Sequence, residues 1–137
     1  MQKTAVITGS FNPVTSGHLF LLEKGLELFD RIYMVILVNP DKTYLTTVGE
    51  RLDMLKKAVG KYDNVVVDAY DGYACDYCIN VGAKVMLRGV RNPVDLNYEL
   101  DLRRQNLEFK GIDTILLVSD DSHRNVSSTF VREHGHE

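Results

Sequence analysis

The spacing of the apolar runs constrains this chain more than any other feature. Five short stretches, Thr4–Thr8, Arg31–Val38, Asn64–Ala69, Lys84–Leu87 and Asp113–Val118, are rich in β-branched residues and show little polar alternation. Such runs belong to strands covered on both faces, the condition of a parallel sheet. Between them, apolar residues return with a helical period. Leu19, Leu22, Leu26 and Phe29 form one stripe, and Leu52, Leu55 and Val59 form another behind a capping box, Thr47-Val48-Gly49-Glu50. Asn92-Pro93 supplies an N-cap and a first-turn proline for a later helix. Leu96, Leu100 and Leu107 are expected to be its buried stripe, and Glu99 and Arg103 its i, i+4 ion pair. The pattern predicts an α/β fold: a Rossmann-like open parallel five-stranded sheet with helices on both faces and right-handed crossovers. At 137 residues the expectation is a single domain over 1–137.

Composition excludes several classes. Hydrophobic residues at 45% and charged residues at 26% describe a globular chain rather than a disordered one. A net charge of −3 argues against a nucleic-acid-binding face, which needs clustered Lys and Arg in excess. It leaves room for a small basic pocket. No apolar run approaches the ~20 residues of a membrane span, and no signal peptide is visible. Two cysteines make no disulfide framework, so a reduced, cytoplasmic protein is expected, with no membrane and no nucleic-acid partner.

Open parallel sheets bind ligands outside the carboxyl ends of their strands, where strand order reverses. Two strand ends carry chemistry. After the first comes Gly9-Ser10-Phe11-Asn12-Pro13-Val14-Thr15-Ser16-Gly17-His18, dense in turn formers and opening a helix. The N–H groups of a helix's first turn attract anions, and His18 can donate to a phosphate oxygen. The plainer reading is a loop with Thr15 as N-cap and His18 on the surface. After the fourth comes Leu87-Arg88-Gly89-Val90-Arg91-Asn92-Pro93-Val94-Asp95-Leu96-Asn97-Tyr98-Glu99. Its arginine forks match phosphate oxygens. Alternatively Arg91 pairs with Asp95, and Asp95 or Glu99 holds an arginine in place.

Together the two segments resemble the nucleotidylyltransferase superfamily. Thr15-Ser16-Gly17-His18 matches its T/S-x-G-H turn, and Arg88-Gly89-Val90-Arg91 with Asp95, Tyr98 and Glu99 is similar to the bacterial phosphopantetheine adenylyltransferases of coenzyme A synthesis. Asn12-Pro13, Lys42, Glu50-Arg51 and Val126-Ser127-Ser128-Thr129 fit the same family, and the likeness runs from Lys3 to Glu133. The resemblance implies adenylyl transfer from ATP to 4′-phosphopantetheine, giving dephospho-coenzyme A and pyrophosphate by direct in-line attack of the acceptor phosphate on the α-phosphate. It implies catalytic roles for Ser10, His18, Lys42 and Arg91. ATP would meet Ser10, Phe11, Gly17, His18, Gly89, Arg91, Glu99, His123, Arg124, Val126, Ser127, Ser128 and Thr129. The acceptor would meet Ser10, Lys42, Ala74 and Arg88. Mg²⁺ would be carried mainly by ATP, with no metal site in the protein. A homo-oligomer, a hexamer, is implied as well.

The chain departs from the family in places. Ser10 stands where Thr is usual, there is no Trp ahead of Val126, and Asp101-Leu102-Arg103-Arg104-Gln105-Asn106 is more charged than its counterparts. The chain also ends at Glu137, short of the family's usual C-terminal helical segments. Other members of the superfamily, a nicotinamide mononucleotide adenylyltransferase or an alcohol-phosphate cytidylyltransferase, would tolerate the first motif, and so would a non-catalytic nucleotide-binding subunit. Cys75 and Cys78 form a C-x-x-C pair. A redox site or zinc would use it, whereas two small apolar residues on a helix, bordering the pantetheine arm, need no such chemistry. Asp120-Asp121-Ser122 suits a turn, Arg103-Arg104 a solvated face or subunit contact, and His134 and His136 a solvated tail.

Overall fold

The computed structural model describes residues 2–38 and 44–118. Five strands alternate with four helices: β1 Thr4–Gly9, α1 Ser16–Leu28, β2 Arg31–Leu37, α2 Val48–Val59, β3 Val65–Tyr70, α3 Ala74–Val81, β4 Val85–Val90, α4 Pro93–Lys110 and β5 Asp113–Val118. All neighbouring strands pair in parallel, in the order β3-β2-β1-β4-β5. The sheet and the alternation of elements are those expected from the apolar runs.

Side chains of a strand alternate between faces, and here both faces are covered. Ala5 and Ile7 of β1 join Ile32, Met34 and Ile36 of β2 and Leu87 of β4 under α1 and α2, where Leu22, Leu55 and Val59 complete one core. Val6, Val35 and Met86 point the other way, to Cys75, Tyr77 and Cys78 of α3. Helix α1 lies close on the sheet because of Gly25. A Cβ there would stand 2.5 Å from both Ile32 Cδ1 and Leu87 Cδ1.

The helix starts follow the sequence signals. Thr15, Thr47 and Asn92 cap α1, α2 and α4, and Thr47 and Glu50 form the expected capping box. Helix α4 differs from expectation in its facing. Leu96, Leu100 and Leu107 are exposed, and the only fully buried residue of the helix is Glu99. The residues turned inward are Asp95, Glu99, Leu102, Arg103 and Asn106, a helical stripe that is mostly polar. The expected Glu99–Arg103 pair is absent too: Glu99 pairs with Arg88 of β4, and Arg103 with Asp113 of β5. Local spacing favoured a pair along the helix. Packing across the sheet offers each residue an oppositely charged partner on a strand instead.

Chain order turns back between β1 and β4: β2 and β3 extend the sheet to one side, β4 and β5 to the other. This is the reversal point at which such sheets open a crevice.

Candidate active site

Two cavities open at the carboxyl ends of β1 and β4, and Thr8 and Arg88 line both. The first, about 430 Å³, is bounded by the turn Gly9-Ser10, the first turn of α1 with Thr15, Gly17 and His18, and Arg88, Gly89 and Arg91 after β4. The second, about 550 Å³, is more apolar and lies between α3 and α4, with Tyr73, Ala74, Cys75, Met86, Tyr98 and Leu102 in its wall.

In the first cavity local structure fixes the functional side chains. Thr15 accepts a hydrogen bond from the His18 amide at 3.4 Å and donates its own N–H to His18 Nδ1 at 2.9 Å. An N–H donates, so Nδ1 is an acceptor and the proton of the neutral ring sits on Nε2. The ring packs at 4.7 Å from Phe11, whose side chain is buried in the core. Phe11 holds a φ of +47°, a left-handed conformation that costs a non-glycine residue roughly 1–2 kcal/mol. The turn is therefore held by its surroundings rather than by local preference.

At the other strand end, carboxylates hold both arginines. Asp95 Oδ2 accepts from the Arg91 amide at 3.1 Å and from its Nε at 3.2 Å. Glu99 takes Arg88 in a two-pronged grip, Nε to Oε1 at 2.9 Å and Nη2 to Oε2 at 2.8 Å, while Arg88 Nη1 donates to Thr8 Oγ1 at 3.3 Å. Arg88 is thus fixed in the wall between the cavities. Glu99, 6% exposed, spends both carboxylate oxygens on it.

Of the residues singled out in the sequence, Ser10, Gly17, His18, Arg88, Gly89 and Arg91 line the first cavity, and Ala74 and Arg88 line the second. Phe11 lines neither cavity; its ring is buried in the core, 4.7 Å from that of His18. Glu99 stands behind Arg88 and lines neither. Lys42, the stretch His123–Thr129, Asp120-Asp121-Ser122, His134 and His136 lie outside the described residues. Cys75 lines the second cavity, whereas Cys78 is wholly buried beneath it. Burial, and then the Asp76 charge, raises the Cys75 thiol; burial, and then Cys75, pushes Cys78 up to about 12. Both are protonated at neutral pH and act as small apolar residues, the opposite of a redox pair. No group of three or more metal-ligating side chains occurs among the described residues.

Sequence reasoning missed Thr8 and quoted Arg51 only within the Glu50-Arg51 resemblance, without a role. Thr8, at the end of β1, hides in an apolar run. Arg51, on α2, occupies a position where an apolar residue was the natural choice, and a charged side chain on a helix ordinarily faces solvent.

Residues 6–134 match the family model described as cytidylyltransferase-like. The phosphopantetheine adenylyltransferase of Clavibacter michiganensis subsp. michiganensis (strain NCPPB 382) is 38% identical over 137 residues, covering 97% of this chain and 84% of that protein. This chain belongs to the phosphopantetheine adenylyltransferase family. A second relative of that name, from Desulfatibacillum aliphaticivorans, is 39% identical over 134 residues, 97% of this chain and 77% of its own. Among solved structures, a bifunctional NMN adenylyltransferase/ADP ribose pyrophosphatase from Francisella tularensis superimposes with a TM-score of 0.63 at 16% identity, over 87% of this chain and 38% of that one. The lipopolysaccharide core biosynthesis protein from Thermoplasma volcanium GSS1 gives 0.61 at 17%, over 87% and 97%. Those two likenesses concern the fold alone.

Proposed function

We infer that this protein is a nucleotidyltransferase that moves the adenylyl group of ATP onto 4′-phosphopantetheine, releasing pyrophosphate and forming dephospho-coenzyme A. The observation that carries the reading is the pair of adjoining cavities, one rich in phosphate-binding groups and one mainly apolar, divided by Arg88 and Thr8. The first suits a triphosphate, with a helix N-terminus, an Nε2–H donor and two guanidinium groups in its wall. The second suits an arm that is largely apolar, with its phosphate end at Arg88.

In the proposed reaction an oxygen of the acceptor phosphate attacks the α-phosphorus of ATP. One P–O bond forms, the bond to the β-phosphate breaks, and pyrophosphate leaves with the electron pair. The nucleophile is already anionic, so no base has to take a proton from it. What remains is to align the two phosphates and to stabilise charge on the transferring group. His18 Nε2–H, the backbone and hydroxyl of Ser10, and the Arg91 guanidinium are the donors for that charge. Arg88, gripped by Glu99, holds the acceptor. Glu99 therefore serves the nucleotide side only indirectly. Lys42 and the stretch His123–Thr129 keep the roles assigned by resemblance, Lys42 at the acceptor phosphate and the reacting centre, His123–Thr129 around ATP.

Mg²⁺ is treated as part of the nucleotide substrate. Among the described residues the lining of the first cavity offers hydroxyl, imidazole and guanidinium groups and no carboxylate, so triphosphate oxygens and water are the ligands these residues leave to a hard cation. No helix among the described residues is long and apolar enough to cross a membrane. The cytoplasm is the assigned compartment. The exposed apolar face of α4, with Leu96, Leu100 and Leu107, gives a surface for self-association, and a hexamer is the assembly assigned by resemblance.

The test is a panel pairing ATP or CTP with 4′-phosphopantetheine, nicotinamide mononucleotide or glycerol phosphate, scored for pyrophosphate. Only ATP with 4′-phosphopantetheine is expected to turn over. His18→Ala is expected to lower that turnover by roughly 10²–10³-fold. Turnover near the unmutated rate would remove His18 from the mechanism.

A further inference from the structure

The least expected buried group is Arg51. It sits on α2, 2% exposed, yet it lines neither cavity. Its Nη1 donates to the backbone carbonyl of Ser10 at 3.0 Å, and its guanidinium lies 4.2 Å from the centre of the Tyr44 ring. Its Nε is buried with no hydrogen-bond partner, and no carboxylate among the described residues pairs with it. A buried cation with an unmet donor is costly. If filling space were its task, an apolar side chain of similar volume would serve stability as well or better.

The Ser10 carbonyl explains the placement. In a planar trans peptide the C=O and the following N–H point in opposite directions. The peptide joining Ser10 to Phe11 is trans, since Asn12-Pro13 is the only cis bond among the described residues. With the Ser10 oxygen bonded to Arg51, the Phe11 N–H of the same peptide is aimed the opposite way, away from α2, and Ser10 itself lines the first cavity. No acceptor among the described residues takes that N–H. Phe11 stands at a φ of +47° with its ring buried in the core.

We propose that Arg51 is a positioning residue for adenylyl transfer: it pins the Ser10 carbonyl from behind so that the Phe11 amide and the Ser10 hydroxyl face the phosphates of the nucleotide, and its unpaired charge adds to the positive potential of that wall. The proposal rests on the adenylyltransferase reading. It places a determinant of phosphate binding on α2, one layer behind the residues that touch substrate.

Arg51→Met and Arg51→Lys separate the possibilities. Each is measured for thermal stability, for kcat and KM with ATP and 4′-phosphopantetheine, and for calorimetric binding of inorganic pyrophosphate and of adenosine. Arg51→Met is expected to fold, to lose roughly 10²-fold in kcat/KM for ATP, and to bind pyrophosphate at least tenfold more weakly with adenosine affinity unchanged. Arg51→Lys keeps the charge without the fork and is expected to fall between the two. Should Arg51→Met fail to fold, the same contrast is read on Arg51→Lys. Wild-type kinetics and pyrophosphate affinity in a folded variant would overturn the proposal, and so would equal losses for pyrophosphate and adenosine. If the unmutated enzyme releases no pyrophosphate with this substrate pair, the functional reading fails, while the pyrophosphate–adenosine contrast still tests Arg51.

Discussion

Glu99 offers the sharpest test of how the site is built, because family resemblance and geometry assign it different work. By resemblance it serves ATP. In the structure its two oxygens accept from Arg88 Nε and Nη2 at 2.9 and 2.8 Å, and its side chain is 7% exposed. Glu99→Ala leaves the Arg88 guanidinium without its counter-ion. Removing one partner of a fully buried pair costs about 3–5 kcal/mol. The Arg88 side chain remains 27% exposed, so water recovers part of that, and a cost of about 2–3 kcal/mol is expected. For a domain of this size that is a fall in Tm of roughly 8–12 °C. Arg88 also loses its fixed orientation between the cavities. Charge-assisted bonds of this kind are worth ~1.5–3 kcal/mol, so KM for 4′-phosphopantetheine should rise about ten- to hundredfold while KM for ATP changes much less. The assay is steady-state pyrophosphate release with each substrate varied, beside melts of Glu99→Ala, Arg88→Met and the double variant. The cycle should return a coupling of about 2 kcal/mol. A rise confined to the KM for ATP, or a coupling near zero, would refute the claim that Glu99 acts through Arg88.

Two further outcomes are expected. Thr15→Val removes the hydroxyl that caps α1 and lies 3.0 Å from His18 Nδ1, but keeps the backbone N–H that donates to Nδ1 at 2.9 Å. Stability should fall by about 1 kcal/mol in a thermal melt, with a much smaller loss of kcat than His18→Ala produces; equal losses would contradict the backbone's role in setting the tautomer. The Cys78 thiol is raised from 9.0 to about 12 by burial and then by Cys75, so its stabilising contribution is complete below pH 9 and drains away as pH rises from there toward 12. The urea midpoint should fall between ~pH 8 and ~pH 10, and Cys78→Ala should lessen that fall; identical pH dependence in the two proteins would exclude the thiol as its source.

Short-range physics determined much of this protein. Two-sided burial of strands demands unbroken β-branched runs, so the sheet and its alternation with helices were legible along the chain. Helix starts were legible because a cap needs a hydroxyl, carboxyl or amide within three residues of the amides it satisfies. The turn ending in His18 and the Arg88–Arg91 segment were visible for the same reason: each is one strand end and one helix start, contiguous in sequence. The tertiary structure decided what depends on groups far apart in the chain. Arg88 finds Glu99 across a strand–helix packing contact rather than Glu99 finding Arg103 along its own helix. Helix α4 turns its polar stripe inward and leaves Leu96, Leu100 and Leu107 outside, reversing the rule that the apolar face is the buried one. Arg51 lies 41 positions from the carbonyl it holds. Periodicity reports which side chains share a face, but only packing decides which way that face points. Burying a charged group is worthwhile only where the fold brings its partner to meet it.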